Sequence, residues 1–189
     1  MTGAPEDLDK ALAQTFPASD PTAAGSPTVA AAPDAEEAGP WLCLYRLVDE
    51  GEADTAFAPR ESYPGGRWSN TDTPVLYAAT SESLATLEYL AHLEGRTPQS
   101  LVLVSARIPE RLAWADPPLP AEWHRVPHDA QVREVGDRWA RESVQPVILV
   151  PSVHAHSEHN ALVLPLHPDA RRVRIVSRRP VSLDPRLRT

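Results

Sequence analysis

The spacing of the short apolar runs constrains this chain most. Val147-Ile148-Leu149-Val150, closed by Pro146 and Pro151, is followed by Ala161 to Leu164 and then by Val173 to Val176. Runs of this length between turn-forming residues read as strands. A parallel crossover between neighbouring strands needs a dozen or more residues, usually a helix, and these connections leave no room for one. Three more strands are expected at Cys43 to Val48, Val75 to Ala79 and Leu101 to Ile108, the last apolar through its first half and alternating afterwards. Val173 and Ile175 alternate with Arg172 and Arg174, so one face of that strand is solvated. Only two helices stand out. One follows Thr80 or Ser81 as N-cap and stops near Gly95, with Pro98 beyond; the other follows Asp129, with Val132, Val135, Gly136 and Trp139 at helical spacing. Strands outnumber helices, and the fold class is α+β: a mixed central β-sheet with flanking helices, not a doubly wound sheet.

Composition divides the chain. Residues 1–40 carry seven acids against the single base Lys10, with six prolines among Ala, Ser and Thr. Such a segment has little to bury, and chain entropy opposes its folding. Leu8, Leu12 and Phe16 recur every four residues and define one short amphipathic stretch, marginal by itself at that length. The expected organisation is an acidic tail over 1–40, one folded domain over 41–180 and a short tail over 181–189. Beyond residue 40, 19 acids and 17 bases nearly cancel, which argues against a general polyanion-binding surface. The Arg-rich C-terminal stretch lacks an aromatic stacking platform, so direct nucleic-acid binding is not expected. No apolar run approaches the roughly 20 residues of a membrane helix, and the N-terminus lacks a signal-peptide pattern. Cys43 is the only cysteine, so no intrachain disulfide can form and a cytoplasmic location is expected.

Two stretches carry candidate chemistry. The first runs Gly65-Gly66-Arg67-Trp68-Ser69-Asn70, then Pro74-Val75-Leu76-Tyr77, then Ser83 to Leu90. It sets an arginine on a Gly-Gly turn, a tyrosine in an apolar strand and Glu88 on a leucine-rich helix. At 100° per residue Leu84, Leu87, Leu90 and Ala91 share one helix face, with Glu88 at its edge. A carboxylate there needs a partner, for which Arg67 or Arg46 is available; the other reading is a solvated or purely structural carboxylate, which the residue pattern alone favours. Arg67 is equally an ordinary turn arginine, and Tyr77 equally a core residue with a satisfied hydroxyl. Arg46, inside the apolar strand Cys43 to Val48, either faces water or offers a guanidinium suited to bidentate phosphate contacts.

The second stretch is Gly136-Asp137-Arg138-Trp139, Val150-Pro151-Ser152-Val153, and Glu158 through Asp169. Ser152 follows a strand, without the Gly-x-Ser-x-Gly elbow of a hydrolase nucleophile, and reads also as a polar loop cap; Asn160 reads also as a strand-initiating residue. His154, His156 and His159 with Glu158 suggest a metal site, but the spacing lacks helical i,i+4 geometry and no cysteine supports it. No metal is expected.

These pieces in this order resemble the RES-domain family from about Leu42 to Asp169: Leu44-Tyr45-Arg46; Gly66-Arg67-Trp68 with Asn70; Pro74-Val75-Leu76-Tyr77; Leu84-Ala85 with Leu87-Glu88; Ile108-Pro109; Leu119-Pro120 with Trp123; Gly136-Asp137 with Trp139; Val150-Pro151-Ser152; Asn160; and His167-Pro168. The resemblance implies a fold like the ADP-ribosyltransferases and a toxin that consumes NAD by hydrolysis, phosphorolysis or ADP-ribosyl transfer. It implies Glu88, Arg67 and Ser152 as catalytic residues, and Arg46, Arg67, Tyr77, Ser152 and Asn160 as NAD-binding residues. It also implies a helix-turn-helix (Xre-type) antitoxin that blocks the site. The chain departs from the family pattern between Asp54 and Gly66, where a glycine-rich loop is usual, at Ser69, and at Leu164 in place of an asparagine. Two alternatives follow: a catalytically silent RES-fold interaction module, or a metal-dependent hydrolase built on the 154–159 histidines.

Overall fold

A computed structural model describes residues 39–93 and 100–187. The acidic tail with its Leu8-Leu12-Phe16 stretch lies outside those residues, as does Gly95; the first helix ends before it, at Ala91 with His92 as C-cap. The elements in chain order are β1 (Trp41–Asp49), a 3-10 helix (Glu50–Thr55), β2 (Leu76–Ala79), α1 (Glu82–Ala91), β3 (Leu101–Pro109), β4 (Ala113–Trp114), α2 (Ala130–Glu142), β5 (Val147–Pro151), β6 (His159–Val163) and β7 (Arg174–Val181). The seven strands form one curled sheet in the order β4-β5-β6-β2-β1-β3-β7. Every neighbouring pair is antiparallel except β4 with β5; a short connection imposes this only on β5 and β6, since β7 follows β6 closely in the chain but lies at the far edge beside β3.

The unbroken apolar runs are explained by burial on both sheet faces. Successive residues of a strand point to opposite sides. On β5, Val147 joins one core cluster while Ile148 and Val150 join another; on β6, Ala161 and Val163 take the first side and Leu162 the second. One face is filled by Leu44, Leu76, Val104 and Ile108 under the 3-10 segment and loop that carry Ala56, Phe57 and Tyr63. The other is covered by α2 through Val132 and Trp139, and by α1 through Leu84 and Ala85 against Leu47, Ala79, Leu101 and Leu103. β7 is an edge strand, longer than its expected Val173 to Val176, with most of its residues exposed.

Both helix N-caps are as expected. Ser81 Oγ accepts from Leu84 N at 3.0 Å and Asp129 Oδ1 from Gln131 N at 3.1 Å. The burial of α1 differs. Leu87 is 40% exposed and Ala91 is also exposed, while Leu84 and Ala85 are buried and Glu88 is half-buried. The inward stripe is therefore 84-85-88, rotated from the one the leucines alone suggest. The leucines are spread around α1, so the sheet surface beneath decides which side turns in.

The sheet is not uniformly zipped. β1 pairs with β3 from Trp41↔Pro109 to Asp49↔Leu101, and β2 pairs with β6 along its whole length. β1 and β2 meet only at Tyr45↔Ala79. The sheet splays there, and residues from both of its faces reach one opening.

Candidate functional site

That opening is a cavity of about 490 Å³, within the size range of small-molecule sites. Arg46, Arg67, Tyr77, Glu88 and Asn160 all line it. Ser152 does not line it; only 1% exposed, it lies behind Glu88.

Glu88 projects from the inward face of α1 with its side chain 23% exposed. Its partners are not the arginines that the spacing suggested. Oε1 accepts from Asn160 Nδ2 at 2.6 Å and from Ser152 Oγ at 3.0 Å. Two short, directional contacts from neutral donors fix that oxygen without pairing it to a cation. Oε2 lies 3.8 Å from His154 Nε2 and 4.0 Å from His92 Nε2. Ser152 is fully used: its one proton goes to Glu88, and its lone pairs accept from His154 N at 3.0 Å and Ala155 N at 3.3 Å. Asn160 sits within β6, paired with Ala79 and Val150, so a strand register rather than a flexible turn sets its amide.

Arg67 is presented by a tight turn. Gly66 N donates to Ser69 O at 2.9 Å, and Gly65 has φ +77°, where an added Cβ would meet backbone atoms at 2.9 Å. Glycine is required there. Arg67 Nη1 donates to the Trp123 and Arg125 carbonyls at 2.8 Å each, which anchors the side chain and leaves the rest of the guanidinium available at the cavity. Burial lowers its pKa, while Glu88 and Tyr77 oppose that shift.

Tyr77 lies on the helix-covered face of β2. Its Oη accepts from Trp68 N at 3.0 Å and shares a 2.9 Å contact with Ser69 Oγ. Burial pushes the phenol up to about 12, so it stays neutral. The hydroxyl is satisfied and the ring still lines the cavity, so the two readings of this residue are compatible. Gly66 is needed for the fit, since a Cβ there would lie 2.8 Å from Tyr77 Cζ.

Arg46 enters from the opposite sheet face. It donates through Nη1 to Ala56 O and lies over the Phe57 ring, 5.9 Å from its centroid. Burial, reinforced by Arg60, lowers it to about 10, with Glu52 opposing. It remains a cation at neutral pH. The stretch between Asp54 and Gly66, in which the chain departs from the expected glycine-rich loop, is packed: Ala56, Phe57 and Tyr63 are buried, and Arg60 and Tyr63 join the cavity wall.

The residue pattern did not reveal what holds the Arg67 turn. Asp137 on α2 accepts from Asn70 N at 2.9 Å, Asn70 Nδ2 at 2.6 Å and Thr73 Oγ1 at 2.8 Å. Gly136 lets the helix approach so closely that a Cβ would stand 1.7 Å from Trp68 O. Trp68 stacks between Trp123 and Trp139 at centroid distances of 6.0 and 5.5 Å. The Gly136-Asp137-x-Trp139 spacing was the available signal. His128 was also missed; it lines the cavity, and burial followed by Arg67 and Arg133 lowers its pKa. The 154–159 histidines do not converge: among the described residues no group of three His, Cys, Asp or Glu side chains is placed to hold a metal. Glu158 instead accepts from Ser81 Oγ.

The model of the RES domain matches residues 43–184. The chain is 34% identical over 142 residues to the Prs ADP-ribosylating toxin of Sphingobium sp. (strain YBL2), covering 72% of this chain and 88% of that protein. It is 31% identical over 151 residues to Toxin Res of Photorhabdus laumondii, covering 77% and 97%. With Toxin Res of Yersinia enterocolitica it shares 30% identity over 154 residues, covering 78% and 100%.

Proposed function

The chain belongs to the RES-domain family, and from that membership and the geometry of its cavity we propose that it is an enzymatic toxin that cleaves the nicotinamide–ribose bond of NAD+. One observation carries the reading: a carboxylate fixed in place by two neutral donors, Ser152 and Asn160, faces a cavity walled by Arg46, Arg67 and Tyr77. Arg46 and Arg67 match the two negative charges of the pyrophosphate. Tyr77 offers a rigid neutral ring to the nicotinamide or its ribose. As the C1′–N bond breaks, its electron pair leaves with neutral nicotinamide and positive charge develops on the ribosyl ring. Glu88 stabilises that charge, and Ser152 and Asn160 keep its carboxylate aimed before the reaction begins. The name of the Sphingobium relative supports ADP-ribosyl chemistry, and the names of the other two support a toxin. An Xre-type helix-turn-helix antitoxin that covers the cavity would complete the pair, and the cytoplasm is where the substrate is available. No helix among the described residues is long and apolar enough to cross a membrane.

The test is release of free nicotinamide from NAD+ by purified protein, with and without phosphate. Glu88→Gln is expected to reduce the rate by about 10²–10³-fold or more, the loss typical of a preorganised electrostatic contact, with an unchanged melting temperature. Near-normal turnover in the folded variant removes Glu88 from the mechanism. Release by neither protein favours the silent interaction module.

A further inference from the structure

We propose that His154 is the base that takes the proton from the acceptor, and that the acceptor is therefore a hydroxyl compound, water or an alcohol, rather than an anion. The proposal rests on the NAD reading above and deepens it. His154 lines the cavity with its side chain 35% exposed, and its Nε2 stands 3.8 Å from Glu88 Oε2. That separation is too long for a direct hydrogen bond. It suits a water oxygen lying between the two groups, about 2.8 Å from each and donating one O–H to each, which is ordinary hydrogen-bond range; an alcohol donates its single O–H to His154 and stands off Oε2. Oε1 is occupied by Ser152 and Asn160, which leaves Oε2 as the oxygen facing the acceptor position. The imidazole is placed by the same serine: His154 N donates to Ser152 Oγ, so one side chain sets both the carboxylate and the turn that presents the base. His92 also lies near Oε2, but at 4.0 Å and 77% exposed, on the C-cap of α1. It is the more solvated of the two.

The step balances. The C1′–N bond breaks with its electron pair going to nicotinamide, the acceptor oxygen bonds to C1′, and its proton passes to His154 Nε2 and then to solvent. A general base is worth about 10²–10⁴-fold in such a step. Phosphate already carries an anionic oxygen and needs no base to attack.

Nicotinamide release by the full chain is measured in water, with added methanol, and with inorganic phosphate. The proteins compared are the wild type, His154→Gln, His154→Ala and His92→Gln. His154→Gln keeps the backbone N–H that holds the turn, and its melting temperature reports folding. It is expected to lose about 10²-fold in kcat in the water and methanol arms, with KM and the phosphate arm nearly unchanged. Added imidazole restores part of the rate of His154→Ala, and His92→Gln stays near wild type. Retained turnover in folded His154→Gln, a loss confined to KM, or an equal loss in all three arms overturns the proposal while the NAD reading stands. So does a wild type that turns over only with phosphate. A wild type silent in every arm overturns the NAD reading and this proposal with it.

Discussion

At the scale of single residues, the site is built by neutral hydrogen-bonding groups, donors to the carboxylate and acceptors from the guanidinium groups, that fix charged side chains. Ser152 and Asn160 hold Glu88, the carbonyls of Trp123 and Arg125 hold Arg67, and that of Ala56 holds Arg46. None of the three side chains is neutralised by its neighbours' contacts, so each is available to substrate. Tyr77→Phe tests the hydroxyl beneath the site. It removes the acceptor of Trp68 N and the partner of Ser69 Oγ. A buried polar group left unsatisfied costs about 1–3 kcal/mol, and urea unfolding is expected to show a loss of that order. Arg67→Ala removes one of the two cavity-lining cations proposed to hold the pyrophosphate, and nicotinamide-release kinetics are expected to show a raised KM for NAD+. A KM equal to wild type would take Arg67 out of substrate binding. The residue types were legible in the sequence because few of them combine on a Gly-Gly turn, an apolar strand and a helix. Their partners were not, since Ser152 and Asn160 stand 64 and 72 positions from Glu88.

At the scale of elements, α1 and α2 have separate tasks. α1 delivers Glu88, and its N-cap Ser81 is also bound by Glu158 of the loop before β6. Ser81→Ala is expected to cost about 1 kcal/mol, the usual value of an N-cap, measured by thermal or urea unfolding. α2 clamps the Arg67 turn through Gly136, Asp137 and Trp139. Gly136→Ala forces its Cβ onto the Trp68 carbonyl, a backbone atom that cannot swing aside. Circular dichroism and melting are expected to show a strongly destabilised protein or none folded. Asp137 gives a pH signature. Burial acts to raise its pKa, but the hydrogen bonds from Asn70 and Thr73 outweigh it and hold the carboxyl below the ordinary aspartate range. With the folded value below the unfolded one, the stabilisation is complete above the ordinary range and is lost as pH falls through the folded value. The stability difference between wild type and Asp137→Asn, measured by urea unfolding, is therefore expected to be largest near neutrality and to shrink in strong acid. A gap that widens in acid would contradict this origin.

At the scale of the molecule, the splay between β1 and β2 makes one cavity out of two sheet faces. Every described residue that lines it falls between Tyr45 and Asn160. A chain lacking residues 1–38 is accordingly expected to release nicotinamide from NAD+ at the full-length rate; a large loss would assign the acidic segment a part in turnover. Val147 to Val150 and Leu101 to Val104 announced strands, and the short connection from Val150 to Ala161 announced antiparallel neighbours. Both readings needed only local hydrophobicity and chain length, which a sequence records directly. The inward face of α1, the clamp of Asp137 on Asn70, and the pairing of Ser152 and Asn160 with one carboxylate oxygen depended on contacts between distant positions. Those were decided by the curl of the sheet and the single bridge at Tyr45 and Ala79, because register and close packing bring together groups whose separation along the chain carries no trace of it.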